Sequence, residues 1–501
     1  MANVTITKQK VFAGFIWRFL ERCGAQGVTL VVSVLLARML SPGDYGTVAL
    51  ITIITNILGV FVDSGFGSAL VQKKNTDDVD YSSVFYFNIV VCSVLYAFMY
   101  VFAPVIASFY NMGNLTPMVR VISFTLVISG VKNVQQAYVR KNMLFKKFFF
   151  STLGGTIGAA VIGITMAYMG FGAWALVAQS LFNTTIDTLI LWMTVKFRPK
   201  ATFSLKRMKV LFSYGWKLLV SNLLETIYTN FTQMVIGKRY SSADLAFYNK
   251  GYMFPSQIVS SVNSSIDSVL FPVLSDYQDD RERMRNIVRR GIKVSVYIMA
   301  PMMIGMAFTA VPIVRILLSE KWLPCVPYLQ IFCICFLFYP IHTANLNAIS
   351  AIGRSDLYLR LEIIKKIIGI IIIFITMRFG VFAMAGGVLV GSFISQLINS
   401  SPNRKLLNYK YLDQMKDILP GILLASGMGA IVWALRLLLL QSNLTDFWIL
   451  VVQIIVGAAV YIFGSCVFHL EAFEYIMELI KPKLDGLYHN VLTAKREVKK
   501  K

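Results

Sequence analysis

The sequence predicts an all-α polytopic membrane protein of about fourteen transmembrane helices, arranged as two six-helix lobes followed by two more helices. Three observations predict it. Hydrophobic residues fill 56% of the 501 positions and charged residues only 15%, with a mean hydropathy of +0.65, outside the range of water-soluble domains. Apolar stretches close to the roughly 20 residues a helix needs to cross a bilayer recur from Val11 to His469, without the short alternation of a barrel strand. The chain also matches itself at an offset of about 200 residues.

Polar breaks fix the spans in order. The first, 12–37, follows the basic N-terminal segment, and the second, 43–70, opens behind Ser41 and Pro42. Acidic NTDDVD precedes 82–109, NMGN precedes 116–139, basic RKNMLFKK leads into 147–169, and MGFG turns into 172–196. After RPKATFSLKR comes 209–236, after YSSAD 244–274, after DYQDDRER 287–311 and after SEKWLP 326–350. IGRSD introduces 356–377, MRFG 380–400, NRKLLNYKYLDQ 415–438 and QSNL 445–469. The expected organisation is therefore a first lobe over 1–200, a second over 201–402, two helices over 403–480 and a tail over 481–501.

The formal net charge of +23 does not signal nucleic acid, because the basic residues lie in short loops between spans and not on a folded basic surface. Thirty-five Lys and Arg occupy the N-terminal segment, every second loop and the tail, against eight in the alternate loops. Cytoplasmic loops retain positive charge, so both termini are expected in the cytoplasm. Cys23, Cys92, Cys325, Cys333, Cys335 and Cys466 lack metal-ligand or disulfide spacing and read as buried small hydrophobes. No metal and no cofactor is expected.

Two matches carry the repeat. LSPGDYG (40–46) and VDSGFGSAL (62–70) lie over YSSADLA (240–246) and VNSSIDSVL (262–270), and MGFGAWALVAQSLFNTTI (169–186) lies over MRFGVFAMAGGVLVGSFI (377–394). Six helices is an even number, so the copies share one orientation and should be related by an axis along the membrane normal. Two such lobes leave a central cleft, which suits alternating access.

The first span holds charge where a membrane helix avoids it. Arg18, Glu21, Arg22, Gln26, Thr29 and Ser33 fall within an arc of roughly 140° at 100° per residue. A charge at the bilayer centre costs about 2.5–3.5 kcal/mol, so the stripe should face a wet cavity or a partner helix. WRFL (17–20) reappears as WKLL (216–219), which sets Lys217 at the position of Arg18, and Ser221, Glu225, Tyr228 and Thr232 follow on one face. Facing cations in a cleft would bind an anion; alternatively, Glu21 pairs with Arg18 one turn away while Arg22 snorkels to the cytoplasmic boundary. Lys132, Asp187, Lys250, Asp267 and Glu362 are further intramembrane charges, Glu362 reading as an ordinary helix pair with Lys365 and Lys366, three and four residues on. Asp187, Glu225 and Glu21 are candidates for carrying H+ or Na+.

At LLARMLSPGDYG (35–46), VDSGFGSALVQKK (62–74), AYVRKNMLFKK (137–147) and FGAWALVAQ (171–179) the chain resembles the polysaccharide transporter branch of the multidrug/oligosaccharidyl-lipid/polysaccharide (MOP) exporter superfamily, over residues 10–400. Within it the resemblance is to Wzx-type and teichuronic-acid-type flippases. It implies a two-lobed bundle in the bacterial cytoplasmic membrane that moves undecaprenyl-pyrophosphate-linked oligosaccharides outward for O-antigen, capsule, exopolysaccharide or teichuronic acid assembly. The partners it implies are that substrate, membrane lipids, a coupling H+ or Na+, a polysaccharide polymerase and glycosyltransferases, with no nucleic acid. Family members place functional cations in the first helix of each lobe, which adds weight to Arg18 and Lys217. A diphosphate suits Arg18, Arg22 and Lys217, and Gln26, Thr29, Asn222, Tyr228, Thr232 and Gln233 offer sugar partners.

An ion-coupled multidrug or organic-cation antiporter of the same superfamily is the alternative, but it would favour carboxylates where the first span carries two Arg to one Glu. An enzyme is not expected. The three histidines, His342, His469 and His489, form no His-Asp constellation, and there is no Walker A sequence.

Overall fold

The computed structural model describes residues 8–63, 66–73, 76–441 and 444–478, and these fold into helices that divide between two compact units, Met1–Ala246 and Phe247–Lys501. The first unit contains α1 (Lys8–Met39), α2 (Pro42–Asp63), α3 (Phe66–Gln72), α4 (Asp78–Phe109), α5 (Leu115–Lys141), α6 (Phe145–Tyr168), α7 (Ala173–Thr194) and α8 (Leu205–Arg239). The second takes in all but the first turn of α9 (Ser242–Asp276), then α10 (Arg281–Phe308), α11 (Ala310–Leu317), a 3₁₀ turn (Glu320–Cys325), α12 (Val326–Leu337) and α13 (Tyr339–Ala351). It is completed by α14 (Ser355–Thr376), α15 (Val381–Ser400), α16 (Asn403–Leu406), α17 (Tyr411–Leu439) and α18 (Asp446–Val467).

Among the described residues, ten spans are long and apolar enough to cross a membrane. Four further helices of at least 22 residues, α1, α7, α8 and α14, bring the set to the expected fourteen. Three of them are set apart by polar or charged residues, since α1 and α8 carry the polar stripes read from the sequence and α14 opens on the charged SDLYLRLEIIKK. Two spans differ in detail from expectation. The expected helix 43–70 is α2 followed by α3, and 326–350 is α12 and α13 meeting at Phe338, where Pro340 in the first turn of α13 lacks the N–H that a continuous helix would use.

The repeat is visible in the hydrogen bonding. Ser41 N and Oγ donate to Asp44 Oδ2 at 3.0 and 2.6 Å while Asp44 N donates to Ser41 Oγ at 3.2 Å. Ser241 and Asp244 reproduce this reciprocal cap at 3.2, 2.6 and 3.1 Å. At the second match, Gly172 (φ +55°) and Gly380 (φ +106°) each precede a helix in a left-handed conformation that favours glycine. A third correspondence escaped the sequence comparison. The α5–α6 and α13–α14 turns share one hydrogen-bond pattern, with Met143 (φ +55°) in the first where Gly353 (φ +81°) stands in the second.

In the first unit, α6 lies along α7 and α1 lies along α6. The α6–α7 approach depends on missing side chains: a Cβ on Gly155 would stand 3.0 Å from Asn183 O, and one on Gly158 would stand 2.6 Å from Ile186 Cδ1. Without a hydrophobic drive between helices in lipid, this close backbone contact is what holds them. Val32 and Leu36 of α1, with Leu40 just after it, bury against Ala160 and Ala167 of α6 and Leu176 of α7. A second core joins Phe66, Leu70, Tyr81, Phe85, Val134, Leu191, Phe197 and Met208.

The segment between α7 and α8 is pinned to the start of α4. Lys200 N and Ser204 N donate to Ser82 Oγ and Ser83 Oγ at 2.9 and 3.0 Å, and Lys200 Nζ pairs with Asp78 at 2.7 Å. Arg207 bonds Asp77 and stands 3.4 Å from fully buried Asp80, which also holds Lys73 at 2.6 Å. The Arg207 hydrogen bond holds the Asp77 carboxyl below the usual carboxylate range.

In the second unit, α10 packs on α17, α12 and α13. Asn345, Ser400, Asn403 and Gln414, all fully buried, form one amide-hydroxyl network: Asn345 Nδ2 donates to Gln414 Oε1 at 2.9 Å and Asn403 Nδ2 to Asn345 Oδ1 at 2.6 Å. Asp417 receives Arg289 bidentately at 2.7 Å, Lys293 at 3.0 Å and the Tyr409 hydroxyl at 2.8 Å, tying α17 to α10. Of the two lysines expected to pair with Glu362, Lys365 does so, at 2.5 Å. Cys92, Cys325, Cys333 and Cys335 are buried as expected, whereas Cys466 is exposed on α18, and the side chain of Cys23 lies outside the described residues.

Candidate functional site: polar faces on α1, α8 and α9

Helix α1 stands on α6, while α8 packs on α2, α3 and α4. The side chains of Arg18, Arg22 and Lys217 lie outside the described residues; the backbone sets the first two on the N-terminal half of α1 and Lys217 on the N-terminal half of α8. Gln26 and Thr29 are exposed on α1, one turn apart. Glu21, at the edge of the same arc, is only 8% exposed and accepts a hydrogen bond from Thr152 Oγ1 of α6 at 3.3 Å. It therefore faces a neighbouring helix, because α6 supplies a hydroxyl that sequence spacing does not reveal.

On α8 the exposed face runs through Ser221, Asn222, Glu225 and Thr229 at helical spacing. Tyr228 and Gln233 are half-buried and Thr232, two turns beyond Glu225 on the same side of the helix, is buried, so the exposed part of this face ends before Thr232. Asp187 of α7 is engaged by Lys132 of α5 at 3.2 Å, both mostly buried. In the second unit Lys250 is buried with its ammonium 5.7 Å from the Trp322 ring, and Asp267 accepts from Asn347 Nδ2 at 2.7 Å.

A further polar face was not singled out from the sequence. Gln257, Ser260, Ser261, Ser264, Ser265 and Ser268 are all exposed on α9. Their spacing, i, i+3, i+4, i+7, i+8, i+11, is a helical stripe that was legible in SSVNSSIDS. Each serine hydroxyl donates to a carbonyl of the preceding turn, at 2.8–3.0 Å. Their donors are thus satisfied within the helix and their lone pairs face outward, a surface that accepts hydrogen bonds from hydroxyl-rich ligands. Such faces on membrane-spanning helices require water, protein or a polar ligand against them. Among the described residues, no group of three or more His, Cys, Asp or Glu is placed to hold a metal.

Known proteins share this architecture and sequence. The inward closed conformation of the lipid II flippase MurJ superposes with a TM-score of 0.71 at 18% identity, covering 92% of this chain and 99% of that one. An inward-facing MATE multidrug resistance transporter of the MOP superfamily gives 0.59 at 14% identity, over 76% of this chain and 94% of that one. The teichuronic acid biosynthesis protein TuaB of Bacillus subtilis is 23% identical over 92% of this chain and 95% of its own length. The lipopolysaccharide biosynthesis protein WzxC of Escherichia coli is 22% identical over 78% and 80%. The succinoglycan biosynthesis transport protein ExoT of Rhizobium meliloti is 26% identical, the match spanning 64% of each chain, just under two thirds of ExoT. The profile of the family described as "Polysaccharide biosynthesis protein" matches residues 35–327. The chain therefore belongs to the polysaccharide biosynthesis protein family, and the expected likeness to the polysaccharide-transporter branch of the MOP superfamily is borne out.

Proposed function

We propose that this protein is a flippase that carries undecaprenyl-pyrophosphate-linked oligosaccharide repeat units across the bacterial cytoplasmic membrane by alternating access, for surface polysaccharide assembly. The observation that carries the proposal is the set of exposed polar faces on α1, α8 and α9, helices of 32, 35 and 35 residues that hydropathy alone would not expect to be so polar. A relative named as a succinoglycan biosynthesis transport protein, another named for teichuronic acid biosynthesis, and the MurJ-like fold support it.

In this reading the lobes are 1–200 and 201–402, with 403–480 and the tail 481–501 as additions, and both termini are cytoplasmic. Arg18, Arg22 and Lys217 bind the diphosphate, whose charge draws cations. Gln26, Thr29, Asn222, Tyr228, Gln233 and the α9 serines meet sugar hydroxyls, and Thr232 joins them only after α8 moves. The lipid tail stays in the bilayer. No covalent bond changes, so no catalytic group is required. Asp187 and Glu225, with Glu21, are the candidate coupling carboxylates; protonating Asp187 would release Lys132, an ion pair already at 3.2 Å. With Asp187 paired and Glu21 turned onto α6, the carboxylate set that an organic-cation antiporter would use is reduced.

Reconstitution into liposomes tests the site. Arg18→Ala and Lys217→Ala are each expected to slow transbilayer movement of a labelled undecaprenyl-diphosphate oligosaccharide by roughly tenfold or more, as for loss of a charge-assisted contact. Wild-type rates in correctly inserted variants would remove the cationic site.

A further inference from the structure

Two stretches singled out in the sequence, LSPGDYG and FGAWALVAQ, meet in the fold at the end of the first unit remote from its basic loops. Asp44, in the first turn of α2, accepts from Ala173 N of α7 at 3.0 Å through Oδ1, while Oδ2 is taken by Ser41. One carboxylate thus caps two helices. Beside it a pocket of about 420 Å³ opens between α2, α5 and α7, lined by Asp44, Asn114, Pro117, Phe171, Gly172 and Trp174.

The lining contains aromatic faces and uncharged donors but no Lys or Arg. Phe171 is 51% exposed and Trp174 is half-buried. Among the described residues, neither the Trp174 indole N–H nor the Asn114 side-chain amide makes a hydrogen bond, although Asn114 stands at the N-cap of α5. Gly172, at φ +55°, keeps the floor open: a Cβ there would come within 3.1 Å of Asp44 Oδ1. The pocket's size lies within the range of small-ligand sites, which pair apolar walls with a few placed polar groups. Ring faces for sugar C–H groups, two free donors for ring and hydroxyl oxygens, and a fixed carboxylate for hydroxyl donors are the chemistry of saccharide recognition. The missing cations argue against a phosphate or anionic headgroup.

We propose that this pocket binds a saccharide, as a second glycan site separate from the polar faces of α1, α8 and α9. The choice of glycan rests on the transport reading above; the pocket itself does not. The test is equilibrium binding to the full-length protein in nanodiscs. The probes are single repeat units of the host's surface polysaccharide, freed of lipid by mild acid, and, separately, inorganic pyrophosphate. Saturable oligosaccharide binding is expected, weakened about tenfold by Trp174→Ala and by Asn114→Ala, with no competition from pyrophosphate. Trp174→Phe, which keeps a ring and loses the N–H, should fall between, with an unchanged melting temperature. Competition by the lipid-linked form marks a tethered glycan as the occupant, and its absence a released one. Wild-type affinity in both Trp174→Ala and Asn114→Ala overturns the proposal, as does binding lost in Arg18→Ala but intact in Trp174→Ala. A protein that binds free glycan through Trp174 yet moves no lipid-linked glycan would refute the transport reading and leave the pocket standing.

Discussion

Met143 and Gly353 occupy equivalent turns in the two halves, and only one is suited to its backbone. A non-glycine side chain at φ +55° sits in a sparsely populated region, so Met143→Gly should stabilise the protein by about 0.5–1 kcal/mol and Gly353→Ala should destabilise it by a similar amount. Thermal unfolding in detergent measures both, and shifts of opposite sign are expected. The same turns show what single residues disclose. Ser41, Asp44, Ser241 and Asp244 were identifiable as repeat positions from their letters, and the structure gives them identical caps. Glu21 was placed correctly on its helical arc but not against its partner, because Thr152 is 131 positions away and no local spacing brings it near.

Among elements, the α7–α8 segment and the start of α4 form a clamp that the sequence hid as an ordinary basic loop. Its acids, Asp77, Asp78 and Asp80, precede its cations, Lys200 and Arg207, by more than a hundred residues. Asp80 is fully buried between Lys73 and Arg207, which are themselves partly exposed, so Asp80→Ala should cost about 2 kcal/mol, the scale of losing hydrogen bonds to a charged group. It should also free residues 195–204 to exchange amide hydrogens faster. Because Arg207 lowers the folded-state pKa of Asp77, that pairing contributes fully above the ordinary carboxylate range and is lost only as pH falls through the lowered value. Hydrogen exchange in 195–204 should therefore show no clamp opening between about pH 5 and 8 beyond the intrinsic rate change. The α6–α7 contact was equally hidden, since a glycine-rich apolar helix reads only as a span. Gly155→Leu, whose side chain would meet Asn183 and Asp187, should destabilise the first unit by about 2 kcal/mol or more.

At the scale of the whole molecule, hydropathy and polar breaks were enough for the helical membrane class and the number of spans, and the match of the chain to itself for the internal repeat. They were not enough for the polar face of α9, because its serines are individually compatible with an apolar helix, their hydroxyls being satisfied by the preceding turn. Only their common exposure makes them a surface. The central claim is transport of a lipid-linked glycan through these polar faces. The most direct measurement is transbilayer movement of a fluorescent undecaprenyl-diphosphate oligosaccharide in proteoliposomes holding only this protein, followed by accessibility to a membrane-impermeant quencher. The account predicts movement that depends on the protein and is slowed in Arg18→Ala and Lys217→Ala. Efflux of organic cations from the same liposomes, with the labelled glycan remaining in its original leaflet, would contradict it.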